Sequence, residues 1–286
     1  MKSIDTGSES RFFIPEISMA QLYNAWKLRS NYSWVILIPM RKIEVMGIML
    51  RDYSVREAMR RISTYLNNGS CNTVDFITHD TLLRASTDED MKREIESMDI
   101  AVATSNDILQ AGSFSSRSRE KEINSNLLLK GMLRKFVKEK RSIFLISETD
   151  ARLQGFKSAL CTFYDGLNII SSAVREETVG GDDTIVNEIN GCMPDIVLMN
   201  LESPDAETFI RDNKMKLGSQ LIVELRDVSL RTNGDGAVKR GGIGEMLLRR
   251  FFKNAADNYE KTAEAENQDE NPATSMEEDN GKIVDI

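Results

Sequence analysis

The chain holds a single histidine, His79, and three cysteines, Cys71, Cys161 and Cys192. No two cysteines have metal-ligand spacing and their number is odd, so neither a zinc site nor a disulfide framework is expected. Any Ser-His or Cys-His mechanism would depend on that one ring. His79-Asp80 has the form of a metal-phosphohydrolase dipeptide, but the further histidines such a site needs are absent from the sequence. No metal is expected. Ser203-Pro204, with Glu207 three residues on, opens a helix whose N-terminus can hold a phosphate; the same Ser203 and Glu207 can equally cap and brace that helix. Lys239-Arg240, just before Gly241-Gly242, can grip a diphosphate or lie in a solvated turn. Between Gly244 and Lys253, Met246, Leu247, Leu248, Phe251 and Phe252 share a stretch with Arg249, Arg250 and Lys253. A basic amphipathic helix of this kind suits an anionic membrane surface, or packs on its own domain.

The elements that must position these residues follow from periodicity. Ile17 to Arg29 has the pattern of a short amphipathic helix, and Trp34 to Ile38 that of a strand. From Ile43 onward strands and helices alternate. Ile43 to Leu50 reads as a strand. Ser54 and Glu57 form a capping box ahead of a helical stripe ending at Asn67-Asn68-Gly69. Thr73 to Thr78 is a strand, Asp80 to Met98 a helix, Asp99 to Ala103 a strand and Ile123 to Lys140 a helix. Then come strand Ser142 to Ile146, helix Asp150 to Phe163, strand Leu167 to Ser171, and a helix from Asp182 to Asn190. Strand Asp195 to Met199, helix Ser203 to Leu217 and strand Gln220 to Leu225 complete the series. Short apolar runs separated by helices predict an α/β, Rossmann-like fold: a mostly parallel sheet with helices on both faces. In such sheets ligands sit beyond the carboxyl ends of the strands. That rule points to Thr78, Thr104 to Asp107, Ser147, Asn200 to Pro204 and Arg226. The sequence has neither a glycine-rich dinucleotide fingerprint nor a Walker phosphate loop.

The stretch from Glu188 to Glu207, with Ile189-Asn190, Pro194-Asp195, an apolar strand and then Ser203-Pro204 and Glu207, resembles the WecG/TagA/CpsF glycosyltransferases. Other segments are similar to that family in the same order: Ile43 to Ile62 with Gly47, Val74 to Thr78, Ile143 to Ile146, Gly166 to Ile169, and Val238-Lys239-Arg240. The resemblance covers roughly residues 43 to 253. It implies transfer of N-acetylmannosamine or a related sugar from a UDP-sugar donor to a lipid-diphosphate-linked acceptor at the inner membrane face. Cell-surface polysaccharide or teichoic acid synthesis is the implied setting. An aspartate would deprotonate the acceptor hydroxyl, with inversion by in-line attack. Carried over residue by residue, it makes Asp107 the base and Thr78 its neighbour. Ser203, Pro204, Glu207, Lys239 and Arg240 become the nucleotide-sugar site, and Arg249, Arg250 and Lys253 the membrane and lipid-diphosphate contacts. No cofactor is implied.

Several positions depart from the family pattern. Strict register puts Thr104 where the base belongs, and a shift of three residues recruits Asp107. Asp80 and Asn126 replace an asparagine and an aspartate. Ser147-Glu148 replaces a glycine pair, and Asp205-Ala206 a Lys-Gln pair. Acidic Glu148 or Asp205 facing the pocket would oppose a diphosphate. The alternative to an active enzyme is therefore a catalytically silent relative that serves as a binding module in glycan assembly.

The formal net charge of −8 is unevenly placed. Residues 255 to 286 carry ten acids against Lys261 and Lys282, so the preceding residues are electrically neutral. That balance argues against a nucleic-acid partner. The expected organisation is an N-terminal extension (1–40), the α/β domain (41–240), a basic helix (241–254) and a disordered acidic tail (255–286). The chain is 41% apolar and its longest apolar run, Trp34 to Ile38, is far short of the about 20 residues a span requires. With no secretion signal, a cytoplasmic protein with peripheral contact at the inner membrane face is expected. A homo-oligomer is left open.

Overall fold

A computed structural model describes residues 42–114, 116–226 and 243–269. The expected N-terminal extension, Lys239-Arg240 and the tail after Asp269 lie outside the described residues.

The segment expected as one opening strand is an antiparallel hairpin of β1 (Ile43–Val45) and β2 (Ile48–Leu50). Met46 and Gly47 both take left-handed backbone, φ 53° and 75°, which is the geometry of a tight hairpin turn. A Cβ at Gly47 would also collide with the Tyr259 hydroxyl, so this corner requires glycine twice over. Helix α1 (Val55–Tyr65) begins on the expected capping box: the Glu57 amide donates to Ser54 Oγ, and the Ser54 amide to the Glu57 carboxylate.

Strand β3 (Asn72–Ile77) is followed by two helices where one was expected, α2 (His79–Ala85) and α3 (Glu89–Ser97). Asp88 accepts the amides of Asp90 and Met91, so it caps a new helix rather than continuing the old one. After β4 (Ile100–Ala103) the loop contains a short helix, α4 (Asn106–Ala111). The expected helix from Ile123 to Lys140 is likewise divided, into α5 (Arg117–Asn124) and α6 (Leu127–Lys138), because Asn126 turns the chain at φ 51°. The rest follows the expected order: β5 (Ser142–Ser147), α7 (Asp150–Phe163), β6 (Asn168–Val174), α8 (Asp182–Cys192), β7 (Ile196–Asn200), α9 (Asp205–Asn213), β8 (Leu221–Glu224) and α10 (Ile243–Asp269).

Six strands form one all-parallel sheet in the order β4-β3-β8-β7-β5-β6. Helices α1, α6 and α7 cover one face, packing Ile62, Leu133 and Phe156 on Phe76, Leu145 and Val223. Helices α8 and α9 cover the other, packing Ile189 and Phe209 on Phe144, Met199 and Ile222. A third apolar cluster joins the hairpin, α2, α4 and α10 through Ile48, Leu82, Ile108 and Phe252. The sheet is covered on both faces, as its nearly continuous apolar strands demand. The chain leaves β5 toward β6 but leaves β7 toward β8, so the crevice between β5 and β7 at their carboxyl ends is the switch point of the fold.

The amino edge of the sheet is pinned by two aspartates. Asp195 accepts the Ser142 amide (2.8 Å) and hydroxyl (2.9 Å) and pairs with Arg141 at 3.2 Å. Asp99 accepts the Thr73 amide (2.9 Å) and hydroxyl (3.1 Å) and pairs with Lys214 at 3.0 Å. Burial alone would raise both carboxyls, but these donors outweigh it and hold both below the ordinary range.

Helix α10 corrects the expected boundary at residue 254. It continues through the start of the expected disordered tail to Asp269. Phe252 and Ala256 are buried, and Tyr259 lies against Gly47, so the packing stripe continues past Lys253 at helical spacing.

Candidate functional site

Most of the residues expected at a site lie at the carboxyl edge of the sheet, in two groups. The first surrounds Arg226, just beyond β8. Its guanidinium contacts Asp75 Oδ1 at 2.5 Å, Glu207 Oε1 at 2.6 Å and Glu224 Oε1 at 2.5 Å, and donates to the Phe76 carbonyl at 3.1 Å. Ser203 Oγ accepts from Arg226 at 3.2 Å and donates to Glu207 Oε1 at 2.8 Å. Ser203 thus braces α9 through Glu207. Pro204, joined to Ser203 by a cis peptide, occupies the cap position itself, with no side-chain cap bond. Asp75, Glu207 and Glu224 have ligand atoms within 4.8 Å of one another, but the guanidinium already sits among them as the cation. They are not read as metal ligands.

Burial, above all, pushes the Asp75 carboxyl up to about 6, against the pull of Arg226. Burial likewise raises Glu224 well above its ordinary range. Burial opposes the charge on Arg226, yet Asp75, Glu224 and Glu207 together raise its affinity for its proton.

A second arginine spans the switch point. Arg175, just after β6, contacts Asp182 at 2.8 Å at the start of α8 and Asp205 at 2.9 Å at the start of α9, with Glu148 at 3.9 Å beyond β5. The two acids flagged as hostile to a diphosphate are therefore held by the chain's own cation. Nearby, Arg152 pairs with Glu202 at 2.8 Å.

The second group lies at the ends of β3 and β4. Thr78 caps α2, accepting the Thr81 amide at 3.2 Å, and its hydroxyl meets that of Thr81 at 2.9 Å. Thr104, at the strict register position of the base, donates its hydroxyl to the Ile77 carbonyl at 2.6 Å. A small cavity of about 30 Å³ lies beside it, lined in part by Arg119, Glu122 and Asn126.

Asp107 is in the first turn of α4, 3.7 Å from His79 Nε2 and 3.8 Å from Arg249 Nε on α10. The His79 ring lowers its carboxyl most; burial opposes this, and Arg249 and Lys253 lower it further. His79 Nε2 also lies 2.9 Å from Ser105 Oγ, while the ring meets Phe252 edge-on. Serine and aspartate share one ring nitrogen, and Ser105 Oγ caps α4 through the Ile108 amide. A relay needs the two groups on opposite nitrogens, so this is not a catalytic triad.

On α10, Arg249, Arg250 and Lys253 are exposed, as are Met246, Leu247 and Phe251, whereas Phe252 turns into the domain. The residues that sequence reasoning missed are Asp75, Glu224 and Arg175. For the first two a signal existed: a lone carboxylate within an apolar strand is rare without a buried partner.

Fold and site together define a Rossmann-like α/β protein with a polar crevice at the carboxyl edge. The chain belongs to the glycosyl transferase WecG/TagA/CpsF family, whose family model matches residues 43–227. It is thus of the glycosyltransferase type that acts in cell-surface polysaccharide synthesis, between a sugar donor and an acceptor. No curated protein matches the chain. Among the described residues no helix is long and apolar enough to cross a membrane.

Proposed function

We propose that this chain is a catalytically silent member of its family, keeping the fold as a binding module in glycan assembly. One observation carries the reading: Arg226 and Arg175, at the carboxyl edge, are neutralised from within. Arg226 is shared by three buried carboxylates, and Arg175 by three that are partly exposed. A UDP diphosphate would have to compete with acids that are already in place, where a transferase needs open cations and helix N-termini. Asp107 supports the same reading. A carboxylate held down by His79 and basic side chains of α10 is a weak acceptor for an alcohol proton and a good anchor for a helix.

A second reading is an active UDP-sugar transferase, moving N-acetylmannosamine or a related sugar to a lipid-diphosphate acceptor. It is favoured by the ionised, partly exposed carboxylate of Asp107 in the helix after β4, beside the strand that ends at Thr78. In it Ser203, Pro204, Glu207, Lys239 and Arg240 hold the donor. Calorimetric titration with UDP separates the two. The silent reading expects no binding at millimolar UDP. Binding that is weakened by Lys239→Glu with Arg240→Glu would overturn it in favour of transfer.

In both readings α10 meets an anionic membrane. Its outward Met246, Leu247 and Phe251 lie in the same stretch as Arg249, Arg250 and Lys253, worth at most about 1 kcal/mol each near such lipid. Three charges alone attach weakly, so apolar insertion must supply the rest. Vesicle co-sedimentation at low salt should detect reversible binding that strengthens when residues 270–286, the acidic end beyond the helix, are deleted. Sedimentation of neither protein would remove the membrane role.

A further inference from the structure

The cluster around Arg226 has a charge imbalance that the fold does not relieve. Asp75 and Glu224 are register partners on adjacent parallel strands, so their side chains stand next to each other on one face of the sheet. Like charges in that relation repel. Glu207 approaches from α9 on the same face, and one guanidinium serves all three acids. Asp75, Glu207 and Glu224 are each at most 1% exposed. If every group were ionised, the cluster would hold three negative charges against one positive, out of reach of water.

The hydrogen bonds make the same point without reference to charge. Among the described residues, Asp75 Oδ2, Glu207 Oε2 and both oxygens of Glu224 are buried without a hydrogen-bond partner. Glu224 reaches Arg226 at ion-pair distance, yet neither of its oxygens is in hydrogen-bond geometry. An ionised carboxylate is an acceptor only, so four acceptor oxygens go without a donor, and Arg226 Nε, the unpaired donor of the same cluster, bonds to none of them. A carboxylic acid proton is the donor that the arrangement lacks, and sharing one among crowded carboxylates is the usual way such a site is relieved.

We propose that Asp75, Glu207, Glu224 and Arg226 form a proton-binding centre that carries one proton on Glu224 at neutral pH, and that its release loosens Arg226 from the carboxyl edge of the sheet. The charged and titratable groups facing the centre are Asp75 from β3, Glu224 and Arg226 at β8, and Glu207 from α9, with Arg84 of α2 acting on Glu207 at longer range. Raised carboxyls at Asp75 and Glu224 accord with this geometry. With the proton in place, Glu224 can donate to a neighbouring carboxylate while Arg226 serves the others. Without it, two like-charged strand neighbours face each other across one guanidinium, and Arg226, just beyond the end of β8, is the group whose hold weakens. The proposal does not depend on whether a sugar is transferred, because it concerns a proton held by the folded chain itself.

Two measurements on the full chain test it. Infrared spectroscopy of the folded protein at neutral pH should show the carbonyl stretch of a neutral, buried carboxylic acid, and that band should be lost in Glu224→Gln. Unfolding in weakly buffered solution at the same pH should release about one proton from the wild-type chain and none from the variant. Amide exchange at Leu225 and Arg226, corrected for its intrinsic pH dependence, should quicken on the alkaline side in the wild type only. A spectrum without a neutral carboxyl band, or unfolding that releases no proton, would overturn the proposal from wild-type protein alone, even if the variant failed to fold. A band that persists in Glu224→Gln but disappears in Asp75→Asn would overturn the assignment to Glu224.

Discussion

The two edges of the central sheet solve the same problem in opposite ways. At the amino edge, Asp99 and Asp195 each receive an amide, a hydroxyl and a cation, and both lie below the ordinary carboxylate range. At the carboxyl edge, Asp75 and Glu224 are more deeply buried, have orphaned oxygens and lie above it. The amino edge ties neighbouring strands together at low cost. The carboxyl edge carries polar groups that a stability-driven design would replace with apolar ones. Frustration of this kind concentrates where a fold binds ligands, and here it lies at the edge where such sheets hold them.

Removing the cation from the carboxyl edge should give the largest effect. Arg226→Leu leaves three buried carboxylates with no counter-charge, so we expect a loss of about 3–5 kcal/mol at neutral pH, partly recovered in mild acid. Urea unfolding at both pH values measures it, and a loss under 1 kcal/mol would erase the distinction between the edges.

The next test is the pH profile of the wild-type chain. Asp75 binds its proton more tightly folded than unfolded, so its contribution is complete below an unfolded value of about 4 and fades as pH rises through about 6. Asp99 and Asp195 act in the opposite sense: their contribution is complete above about 4 and is lost as pH falls through their depressed folded values. Stability should therefore peak in acid, at about pH 4, and decline on both sides. A monotonic rise to pH 8 would show that the carboxyl edge does not hold protons as described.

Smaller changes sharpen the contrast. Ser142→Ala removes one hydroxyl that both donates to Asp195 and accepts its amide, and should cost about 1 kcal/mol by thermal or urea unfolding. Its counterpart at the other edge, Glu148→Gln, removes a partly buried acid that burial raises and that Arg175 meets only at 3.9 Å. A change within about 0.5 kcal/mol of zero is expected there, because the charge contributes little.

The alternation of strands and helices was legible because each apolar run is about one strand long and each stripe has helical period. Breaks within elements were harder to see. Met46-Gly47 folds a predicted strand into a hairpin, while Asp88 and Asn126 divide helices whose apolar period runs straight through them. These are single-residue backbone choices that periodicity averages away. The end of α10 was misplaced for the converse reason. Acidic composition suggested a tail, while Ala256 and Tyr259 continued the packing stripe. At the site, Ser203, Glu207 and Arg226 were readable as strand-end and helix-start residues. Their union with Asp75 and Glu224 was not, since it joins residues on β3, β8 and α9 that only the strand order brings together.

That strand order bears on how the chain is made. Among the described residues, β8 lies in the middle of the sheet but is the last of its strands to be synthesised, and it alone joins the β4-β3 pair to β7, β5 and β6. A nascent chain halted before Leu221 therefore holds two partial sheets with β3 and β7 bare along one side. Bare strands of that kind recruit chaperones or one another. The domain closes only when its final strand emerges from the ribosome, so a premature stop before that point yields no partial product with a complete sheet.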